Sequence, residues 1–565
     1  MPYQIKQELC SCCHQCKVNC PVSAIRFKGV KYWIDPEKCI DCGACVKNCH
    51  NCVIYKVGEP EAQAPAHETR HEKYDLVVCG SGASGLVAAV RTAQAGKKVI
   101  VLEKNGQPGG NSWYAGANNF HYTRFHRELG IPDNREDQLR EFMSRTEWRV
   151  DVKLIEHLLG ISDKFVDWLI DDCEAGDDIH PDHIEDGVGV LNATGESVKL
   201  KRFKRPDRSI GPGGFGTYMV LKMLQQCEKL GVEVRLRNEA EQLLTNEDGS
   251  IRGVIAKDPG GKTEFECSAV VLATGCFSRN EELLKIANPD LFRSGEPVHY
   301  FSVPTCTGDG IRMAKEIGGK IDYKNMRALS LGPAHHPFGY CALCVSRTPY
   351  IVMVNNKGKR FVSEEDSMTH RYAILEQPNL TAWFITDTPT FEKGIQDLLD
   401  DGYDGEEGAA IFRNYKQELE EESKLDTPTK RADTLEELAR LMGVDEKTFT
   451  EEIAKYNEFC RKGHDDDFHK RPNFLLPVEK PPFYAFFAKR FQENAMGGMA
   501  IDSKTRVLKT DGGVIPGLYA VGDNCNGIQV QGDISVNYIE RVFTALTWAN
   551  SSGYMASEGV LEYLG

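Results

Sequence analysis

Three features are scarce or missing in this sequence of 565 residues. No run of about 18 apolar residues occurs, so the sequence predicts no membrane-spanning helix. The N-terminal stretch MPYQIKQELC has neither the basic nor the apolar part of a secretory signal, and we expect a cytoplasmic protein. Basic residues are also outnumbered, with 68 basic against 83 acidic residues and a net charge of -15. This charge argues against a nucleic-acid partner.

Cysteine is scarce over most of the chain but abundant at its start. Half of the 20 cysteines lie between residues 10 and 52. In a reducing cytosol such a cluster indicates metal ligation rather than disulfides. The chain is also too long for a single core, so we expect several domains with room to bury a large ligand.

Two cysteine runs share one spacing. CSCCHQCKVNCP at residues 10 to 21 and CIDCGACVKNCH at residues 39 to 50 both contain C-x2-C-x2-C-x3-C. Over residues 5 to 55 the chain resembles bacterial two-cluster ferredoxins, in which the fourth cysteine of each run binds the other cluster. The resemblance implies two [4Fe-4S] clusters with crossed ligand sets. One set is Cys10, Cys13, Cys16 and Cys49, and the other is Cys39, Cys42, Cys45 and Cys20.

The alternative ligand for these cysteines is zinc. A tetrahedral zinc site uses four ligands, so it would leave four of the eight cysteines unexplained. The runs also depart from the ferredoxin pattern, because His50 stands where a second proline usually follows and Cys12 and Cys52 are extra thiols. Residues 57 to 73 are polar and lack hydrophobic periodicity, so we expect them to form a linker.

A dinucleotide-binding pattern begins at Tyr74. The segment YDLVVCGSGASGLVAAVRTAQAGKKVIVLEK predicts a strand, a glycine turn, a helix and a second strand. Gly80, Gly82 and Gly85 form G-x-G-x-x-G at that turn, where the backbone can approach a pyrophosphate. Glu103 ends the second strand, where a carboxylate binds ribose hydroxyls.

The segments that follow favour FAD over NAD. PGGNSWYAGANN from Pro108 resembles the second flavin-phosphate loop of the fumarate reductase and succinate dehydrogenase flavoprotein family, and VVLATGCFS, TGDGIRMA and GLYAVGDN match that family in order. The resemblance implies FAD bound non-covalently, because the nearest histidine after the double glycine is His121. The residues expected to bind FAD are Gly80, Gly82, Ala83, Ser84, Gly85, Glu103, Lys104, Gly109, Gly110, Asn111, Ser112, Ala273, Thr274, Gly275, Asp309, Gly522 and Asp523.

The resemblance also implies the fold class and the domain order. We expect an α/β protein with an N-terminal ferredoxin-like α+β domain, a Rossmann-type FAD-binding domain and an inserted α+β cap domain. In the cap, a capping box at Thr434 and Glu437 precedes a helical apolar pattern. The expected bounds are 1 to 56 for the ferredoxin-like domain, 57 to 73 for the linker, 74 to 325 and 496 to 565 for the FAD-binding domain, and 326 to 495 for the cap.

The proton donor is expected in the cap, where fumarate reductases of this family use an arginine. The segment GKRFVSEEDSMTHRYAI carries Glu364 at the matching acid and Arg371 two positions beyond a gapless match. We therefore expect Arg371 to be the donor, with His370 as its competitor. An exposed His-Arg pair that makes only salt bridges is the alternative.

Other substrate contacts follow from the same resemblance. Arg347 lies eight residues before Asn355, which is the family's spacing for a cap arginine near the substrate. Tyr350 replaces a glycine of that segment and reshapes the site. His335 and His336 align with a strand end where the family places a substrate histidine, although a packed or surface histidine is equally compatible with the sequence.

Two departures from the family bear on the substrate. Asn494 stands where fumarate reductases carry a histidine for a substrate carboxylate, and Val530 stands where they carry a clamping arginine. A guanidinium matches a carboxylate better than any other side chain, so dicarboxylate recognition is weakened. We expect a neutral or singly charged organic substrate of the enoate, enone, steroid or flavonoid type. Tetrahydrodaidzein reductases, which act on a neutral polyphenol, are a related group that fits this expectation.

The expected function is an oxidoreductase that receives electrons at the clusters and reduces this substrate at FAD. A donor protein, or reduced ferredoxin or flavodoxin, is the expected partner, because no second G-x-G-x-x-G follows an apolar strand and GPGGFG at residue 211 follows a basic loop. Two alternatives stay open at this point. One is the reverse dehydrogenation of a ketosteroid-like molecule, and the other is an electron-transfer subunit of a larger complex.

Overall fold

The protein is described from a computed structural model. Within the residues it describes, no helix is both long and apolar enough to cross a membrane. The described residues are 3–11, 15–28, 31–58, 65–115, 118–185, 188–193, 215–293, 298–300, 302–331, 348–365, 370–400, 419–420, 423–424, 429–489, 491–528 and 544–565.

The N-terminal unit is a small α+β fold built around the cysteines. Its elements are β1 (Tyr3–Ile5), α1 (Gln15–Val18), β2 (Ile25–Lys28), β3 (Lys31–Ile34), α2 (Ala44–Lys47) and β4 (Ile54–Lys56). Strands β1 and β4 pair antiparallel, and β2 and β3 form the hairpin that joins the two cysteine runs. The alternating side chains of these strands bury Ile5, Ile25, Ile34 and Ile54 against the cysteines, which form part of the core of this unit.

The largest unit contains a six-stranded sheet. Its first elements are β5 (Arg70–Lys73), β6 (Leu76–Cys79), α3 (Ala83–Gln94), β7 (Val99–Glu103), β8 (Asn119–His121), α4 (Arg124–Glu128), α5 (Arg135–Arg145), α6 (Val152–Gly160) and α7 (Ser162–Asp171). The next are β9 (Ile179–Glu185), β10 (Val188–Ala193), α8 (Phe215–Leu230), β11 (Glu233–Leu236), β12 (Glu239–Thr245), β13 (Ile251–Asp258), β14 (Gly261–Glu266), β15 (Ala269–Leu272), α9 (Glu281–Ala287), β16 (His299–Tyr300) and α10 (Asp309–Glu316).

The cap and the C-terminal segment complete the chain. The cap contains β17 (Arg327–Leu331), β18 (Val352–Asn355), α11 (His370–Leu375), β19 (Thr381–Asp387), α12 (Thr388–Asp400), β20 (Thr429–Ala432), α13 (Leu435–Met442), α14 (Glu446–Lys462), β21 (Phe483–Lys489) and β22 (Phe491–Met496). The C-terminal elements are β23 (Arg506–Leu508), β24 (Val514–Ala520) and α15 (Ala545–Leu564).

The six-stranded sheet has the order β11-β7-β6-β15-β24-β23 and is parallel except for β23 at its edge. Strands β6, β7 and β15 are continuous apolar runs that are buried along their whole length, as expected when helices cover both faces of a parallel sheet. Helix α3 packs against α15 and α8. The carboxyl ends of β6, β7 and β15 therefore meet at one edge, where open α/β sheets bind ligands.

A second sheet of this unit reaches into the segment expected to be a linker. The order of this sheet is β12-β13-β14-β5, and β5 pairs with β14 in parallel register from Arg70 to Lys73. The last four residues of the expected linker thus form a strand. They lack apolar periodicity because β5 is an exposed edge strand, which is held by backbone hydrogen bonds and by the ion pair of Lys73 with Glu266.

The cap is an antiparallel sheet of order β18-β19-β21-β20 with helices on it. Alternate residues of β18 face opposite sides, so Met353 joins one apolar cluster while Val352 and Val354 join the cluster that contains α13 and α14. Thr434 caps α13 by accepting a hydrogen bond from the Glu437 backbone N–H at 3.1 Å. The short sheet β16-β22-β17 joins the cap to the large unit.

Candidate cofactor and active site

The turn between β6 and α3 is shaped for close approach of a ligand. Gly80 has φ 112°, and a Cβ there would lie 2.2 Å from the carbonyl oxygen of Ala273. A Cβ on Gly85 would lie 2.2 Å from the carbonyl oxygen of Gly80. Gly82 occupies the N-cap of α3 and brings no side chain to it. The first turn of a helix with such an opening attracts a phosphate.

Glu103 lies beside this turn at the end of β7. Its buried carboxylate accepts hydrogen bonds from the Ser81 backbone at 3.0 Å, from the Ser81 hydroxyl and from the Asn105 backbone at 2.7 Å. Burial raises the pKa of Glu103. Its neighbour Lys104 forms ion pairs with Asp309 at 3.0 Å and with Glu239 at 2.9 Å. Lys104 and Asp309, both predicted to bind FAD, therefore hold each other in place.

The loop of residues 108 to 115 forms the next wall. Gly109 has φ 104°, and a Cβ there would lie 2.3 Å from the indole nitrogen of Trp113. The indole N–H of Trp113 donates to the carbonyl of Pro108. Ser112 accepts a hydrogen bond from the Ala83 backbone at 3.0 Å, which ties this loop to the first turn of α3.

Asp523 lies three residues after the end of β24 and lines the same cavity as the glycine turn. The residue is half-buried, and Oδ2 accepts a hydrogen bond from Nδ2 of Asn494 at 2.9 Å. Oδ1 has no hydrogen-bond partner among the described residues. Burial raises the pKa of Asp523 to about 7. A buried acceptor without a partner is costly, so this atom fits a ligand hydroxyl.

These residues enclose one cavity with about 990 Å³ of empty space, part of it open to solvent. Of the residues predicted to bind FAD, all but Ala83, Gly85 and Gly109 line it. The glycine turn, the Glu103 carboxylate and the unpartnered Asp523 oxygen fit the pyrophosphate, a ribose and the ribityl chain of a flavin dinucleotide respectively. FAD would therefore be held between the glycine turn, the 108–115 loop and Asp523.

Part of the cavity wall was not predicted. Asn238, Glu239 and Ala240, at the start of β12, line it together with Ala545 and Leu546 at the start of α15. The start of α15 carries a local signal, because Thr544 accepts a hydrogen bond from the Thr547 backbone at 3.1 Å and so marks a helix N-terminus. No local signal marks residues 238 to 240, which reach the cavity because β11 and β12 lie beside β7.

Four cysteines of the N-terminal unit line a second, smaller cavity: Cys20, Cys39, Cys42 and Cys45. They are one of the two predicted ligand sets. Burial, with smaller contributions from Cys39 and Cys20, raises the pKa of Cys45 to about 11, so these thiols are close neighbours. No three His, Cys, Asp or Glu side chains of the described residues converge closely enough for a single metal ion. A cubane takes one thiolate at each of four separate irons, so its ligands are spread more widely, and this set fits one.

The other predicted set is described in part. Cys10, Cys16 and Cys49 are buried in the same apolar core, whereas Cys13 and the extra thiol Cys12 lie outside the described residues. Cys49 directly precedes residues 50 to 52, which contact the large unit. The second extra thiol, Cys52, lies near Arg237 and Gly106 of the large unit rather than among the predicted ligands.

The N-terminal unit docks against the 108–115 loop. The imidazole of His50, the residue after Cys49, stacks on the indole of Trp113 with ring centroids 4.6 Å apart. The carbonyl of His50 accepts a hydrogen bond from Nδ2 of Asn105 at 2.7 Å, and the Tyr114 hydroxyl donates to Asn51 at 3.2 Å. Burial lowers the pKa of His50 to about 4, so this ring is neutral at pH 7.

Most of the predicted catalytic residues lie where the structure gives no side-chain geometry. Arg347, His335, His336 and Val530 are outside the described residues. His370 and Arg371 begin α11, but only their backbone is described. Their roles stay predictions.

Tyr350 is the one predicted catalytic residue whose side chain is described. It is buried in the cap, its hydroxyl donates to Asp397 of α12, and its ring meets Phe474 edge to face with centroids 6.0 Å apart. Asn494 is likewise engaged, since its amide donates to Asp523 at the FAD cavity. Any contact of these two residues with substrate stays a prediction.

A buried charge network in the cap was not predicted. Arg360 pairs with Glu364 and Asp465 at 3.0 Å each, and Lys470 pairs with Glu364 at 3.2 Å. All four side chains are at most 1% exposed. Burial alone would raise the pKa of Glu364, but Lys470 and Arg360 hold it below its ordinary value. The network ties residues 360 to 364 to the segment that carries Asp465 and Lys470.

Comparison with known proteins gives two family matches. A model described as "FAD binding domain" matches residues 75–532, and a model described as "4Fe-4S binding domain" matches residues 30–51. The first covers most of the chain, and the second covers strand β3 and the second cysteine run.

Individual relatives and a solved structure agree with these matches. The chain is 29% identical over 507 residues to "Fumarate reductase (cytochrome)" of Shewanella frigidimarina, which covers 89% of this chain and 80% of that protein. It is 30% identical over 480 residues to "Vinyl phenol reductase" of Lactiplantibacillus plantarum, covering 81% and 91% respectively. The open form of a flavocytochrome c3 fumarate reductase superposes with a TM-score of 0.65 at 23% identity, over 86% of this chain and 79% of that one. The predicted α/β fold class is confirmed.

Proposed function

The chain belongs to the fumarate reductase-like family of FAD-binding flavoproteins and carries a 4Fe-4S binding domain, and from this premise we propose that it reduces a carbon–carbon double bond of a neutral or singly charged organic substrate. Enoates, enones, steroids and flavonoids are the substrate types. When bound, [4Fe-4S] clusters supply single electrons and FAD supplies a hydride to the substrate.

One observation carries the proposal. The cysteine-rich unit is not a tethered module, because His50 stacks on Trp113 of the loop that borders the FAD cavity. The Asn105 and Tyr114 hydrogen bonds fix the same contact. A domain that only stores iron would gain nothing from lying against the flavin loop, whereas electron transfer requires short distances.

Two [4Fe-4S] clusters are part of the proposal, held by the crossed cysteine sets. Cys49 of one set directly precedes His50 of the docking contact, whereas Cys20, Cys39, Cys42 and Cys45 of the other set line the second cavity. Cys42 is exposed, and Ile40 beside it is 60% exposed. A donor protein, such as reduced ferredoxin or flavodoxin, would dock there, because an exposed apolar side chain beside a cluster ligand suits a transient contact.

The substrate class rests on two residues, Asn494 at the FAD cavity and Val530, which is known from the sequence alone. Asn494 is neutral and is held by Asp523, so it offers no positive charge for a carboxylate. Vinyl phenol, named for one of the relatives, is an uncharged styrene-type substrate, while fumarate, named for another, is a dicarboxylate. The neutral residues Asn494 and Val530 favour the first kind.

Residues of the cap would deliver the proton and polarise a carbonyl or hydroxyl of the substrate. Arg371, at the start of α11, would deliver the proton to carbon, with His370 as the competing donor. Arg347 would polarise a carbonyl or hydroxyl, and His336 and Tyr350 would hold the substrate beneath the cap. The buried Arg360–Glu364–Lys470 network would hold residues 360 to 364 of the cap in place.

Anaerobic turnover of the purified holoenzyme tests this function. Reduced viologen serves as donor, and enoates, enones, steroids and flavonoids are offered as acceptors. Reduction of at least one neutral or singly charged acceptor is the expected result. If the enzyme only dehydrogenates a ketosteroid-like molecule and reduces none of the acceptors, the reverse reaction would be favoured. If no acceptor reoxidises the reduced flavin, an electron-transfer subunit would be favoured. Acid precipitation should release the FAD, since its binding is proposed to be non-covalent.

A further inference from the structure

Two buried cysteines, Cys276 and Cys306, lie in one cluster beside the FAD cavity. Cys276 and Cys306 are 1% and 4% exposed, and both are free cysteines. The backbone N–H of Arg279 donates to the carbonyl of Cys306 at 2.9 Å, which lays the two segments side by side. Both belong to one buried cluster, Cys306 Sγ lies 4.0 Å from the position that a Cβ on Gly275 would take, and Cys306 lines the cavity.

The surroundings of Cys276 favour a thiolate. Its sulfur accepts a hydrogen bond from Nδ2 of Asn111 at 3.5 Å and lies 3.0 Å from the hydroxyl of Ser278. Asn111 is itself fixed, because its Oδ1 accepts a hydrogen bond from the Val303 backbone at 2.9 Å. Burial raises the pKa of Cys276, but the neighbouring Cys306 thiol and the Ser278 hydroxyl bring it below the ordinary thiol value, while the pKa of Cys306 is raised.

A cation without a carboxylate partner lies beside the pair. Arg279 forms no ion pair with Asp or Glu within the described part of the chain, and its Nε has no hydrogen-bond partner there. Its remaining contacts are neutral, namely the carbonyls of Ser302 at 2.7 Å and Glu8 at 3.4 Å and the ring of Tyr300 at 4.6 Å. A half-buried guanidinium of this kind stabilises a neighbouring thiolate.

We propose that Cys276 and Cys306 form a redox-active dithiol that exchanges an electron pair with the flavin. Oxidation breaks two S–H bonds and forms one S–S bond, so the pair releases two electrons and two protons, and oxidised flavin is the acceptor. Cys276 acts as the reactive sulfur and Cys306 as its partner. Two thiols that merely fill space would need neither the Asn111 and Ser278 hydrogen bonds nor the adjacent guanidinium.

This function goes beyond substrate reduction and does not depend on it. The pair would hold one electron pair in addition to those held by the flavin and the clusters. It would also lie on the same side of the cavity as the cysteine-rich unit, since Arg279 contacts Glu8.

Peptide mapping of the wild-type holoenzyme tests the dithiol without any variant. The protein is purified anaerobically, divided, and either reduced with dithionite or oxidised with ferricyanide, then unfolded in the presence of an alkylating agent and digested. The oxidised sample should contain a peptide pair joined between Cys276 and Cys306, and the reduced sample should contain both residues alkylated. Full alkylation of both residues in the oxidised sample would overturn the proposal.

A reductive titration provides a second readout. The Cys306→Ser holoenzyme should accept two electrons fewer per chain than wild type at equal FAD and iron content. Cys227→Ser is the matched control, since Cys227 is a buried thiol of α8 away from the cavity, and it should accept as many electrons as wild type. Equal uptake by wild type and Cys306→Ser would contradict the dithiol.

Discussion

The imidazole of His50 and the indole of Trp113 are stacked, with centroids 4.6 Å apart and an angle of 27° between the ring planes. One ring follows a predicted cluster ligand, and the other belongs to the loop that borders the FAD cavity. The two residues are 63 positions apart in the chain, so only the docking of the cysteine-rich unit brings them together.

Removal of this stack should slow electron transfer to the flavin. His50→Ala loses an aromatic contact worth about 0.5 to 1.5 kcal/mol, which would weaken docking by roughly twofold to tenfold. Stopped-flow bleaching of the flavin after mixing with reduced viologen measures the effect. His50→Phe keeps the ring and is the control that should retain most of the rate. An unchanged rate in His50→Ala would mean that electrons reach the flavin by another route.

Asp523 should make the FAD-free protein less stable as the pH rises. Its pKa is raised from 3.8 to about 7 by burial, so between these values the folded state binds more protons than the unfolded state, and stability falls with rising pH. Chemical unfolding of the FAD-free protein between about pH 5 and pH 7.5 should show this slope, which Asp523→Asn should reduce.

The control for this titration is Asp511→Asn, at an exposed turn residue. It should leave the pH slope of wild type unchanged. At a pH above about 7, where Asp523 is ionised, Asp523→Asn should also bind FAD more weakly, by about 1.5 to 3 kcal/mol, because an amide replaces the charged acceptor. A wild-type slope in Asp523→Asn would show that this carboxylate titrates normally.

The cap should depend on its buried charges. Glu364→Gln leaves Lys470 and part of Arg360 without a partner charge, which typically costs about 3 to 5 kcal/mol. The pKa of Glu364 is lowered in the folded state, so its contribution is present above the ordinary Glu pKa and is lost as the pH falls through the lowered value. Calorimetric unfolding measures both effects.

An exposed ion pair provides the comparison for Glu364. Glu458 pairs with Arg461 at 2.9 Å on the surface of α14, and Glu458→Gln should change stability by less than about 1 kcal/mol. Equal effects of the two substitutions would rule out a structural role for the buried network.

The ligand assignment can be tested by iron analysis. Wild type should approach about eight irons per chain, and Cys42→Ser and Cys49→Ser should each lose about four, because each removes a ligand of a different cubane. Cys52→Ser is the control and should keep all of them, since Cys52 lies against Arg237 and Gly106. Loss of iron in Cys52→Ser, or about four irons in wild type, would contradict the crossed sets.

Local patterns in the sequence predicted much of the fold. The strand, glycine turn and helix at Gly80 and the Thr434 cap of α13 depend on neighbours a few residues apart. The cavity residues Asn238 to Ala240 and the hydrogen bond between Asn494 and Asp523 depend on strand order, which no local pattern encodes.

The cap illustrates the same limit. Arg360 and Glu364 are one helical turn apart in sequence spacing, but Asp465 and Lys470 join them from about a hundred residues away. In the sequence these four residues resemble an ordinary charged surface. Only the fold brings them together and buries them as a network of ion pairs. The predicted cap residues Arg347, Arg371 and His336 depend on the family resemblance rather than on a local pattern.

Arg371→Ala should abolish most substrate reduction while leaving flavin reduction by viologen intact, because a lost general acid typically costs about 10²- to 10⁴-fold in rate. Flavin bleaching and substrate-dependent reoxidation, followed separately in one anaerobic cuvette, distinguish the two steps. Arg371→Lys keeps a proton donor and should retain more activity than Arg371→Ala. Unchanged reoxidation in Arg371→Ala would move the donor role to His370, which the matched His370→Ala variant would then reveal.

The most direct measurement is the rate at which reduced wild-type holoenzyme is reoxidised by fumarate and by uncharged or singly charged substrates under the same anaerobic conditions. Rapid reoxidation by at least one enone, enoate, steroid or flavonoid, with negligible reoxidation by fumarate, is the expected result. Efficient reoxidation by fumarate, or none by any carbon–carbon double bond, would contradict the proposed function.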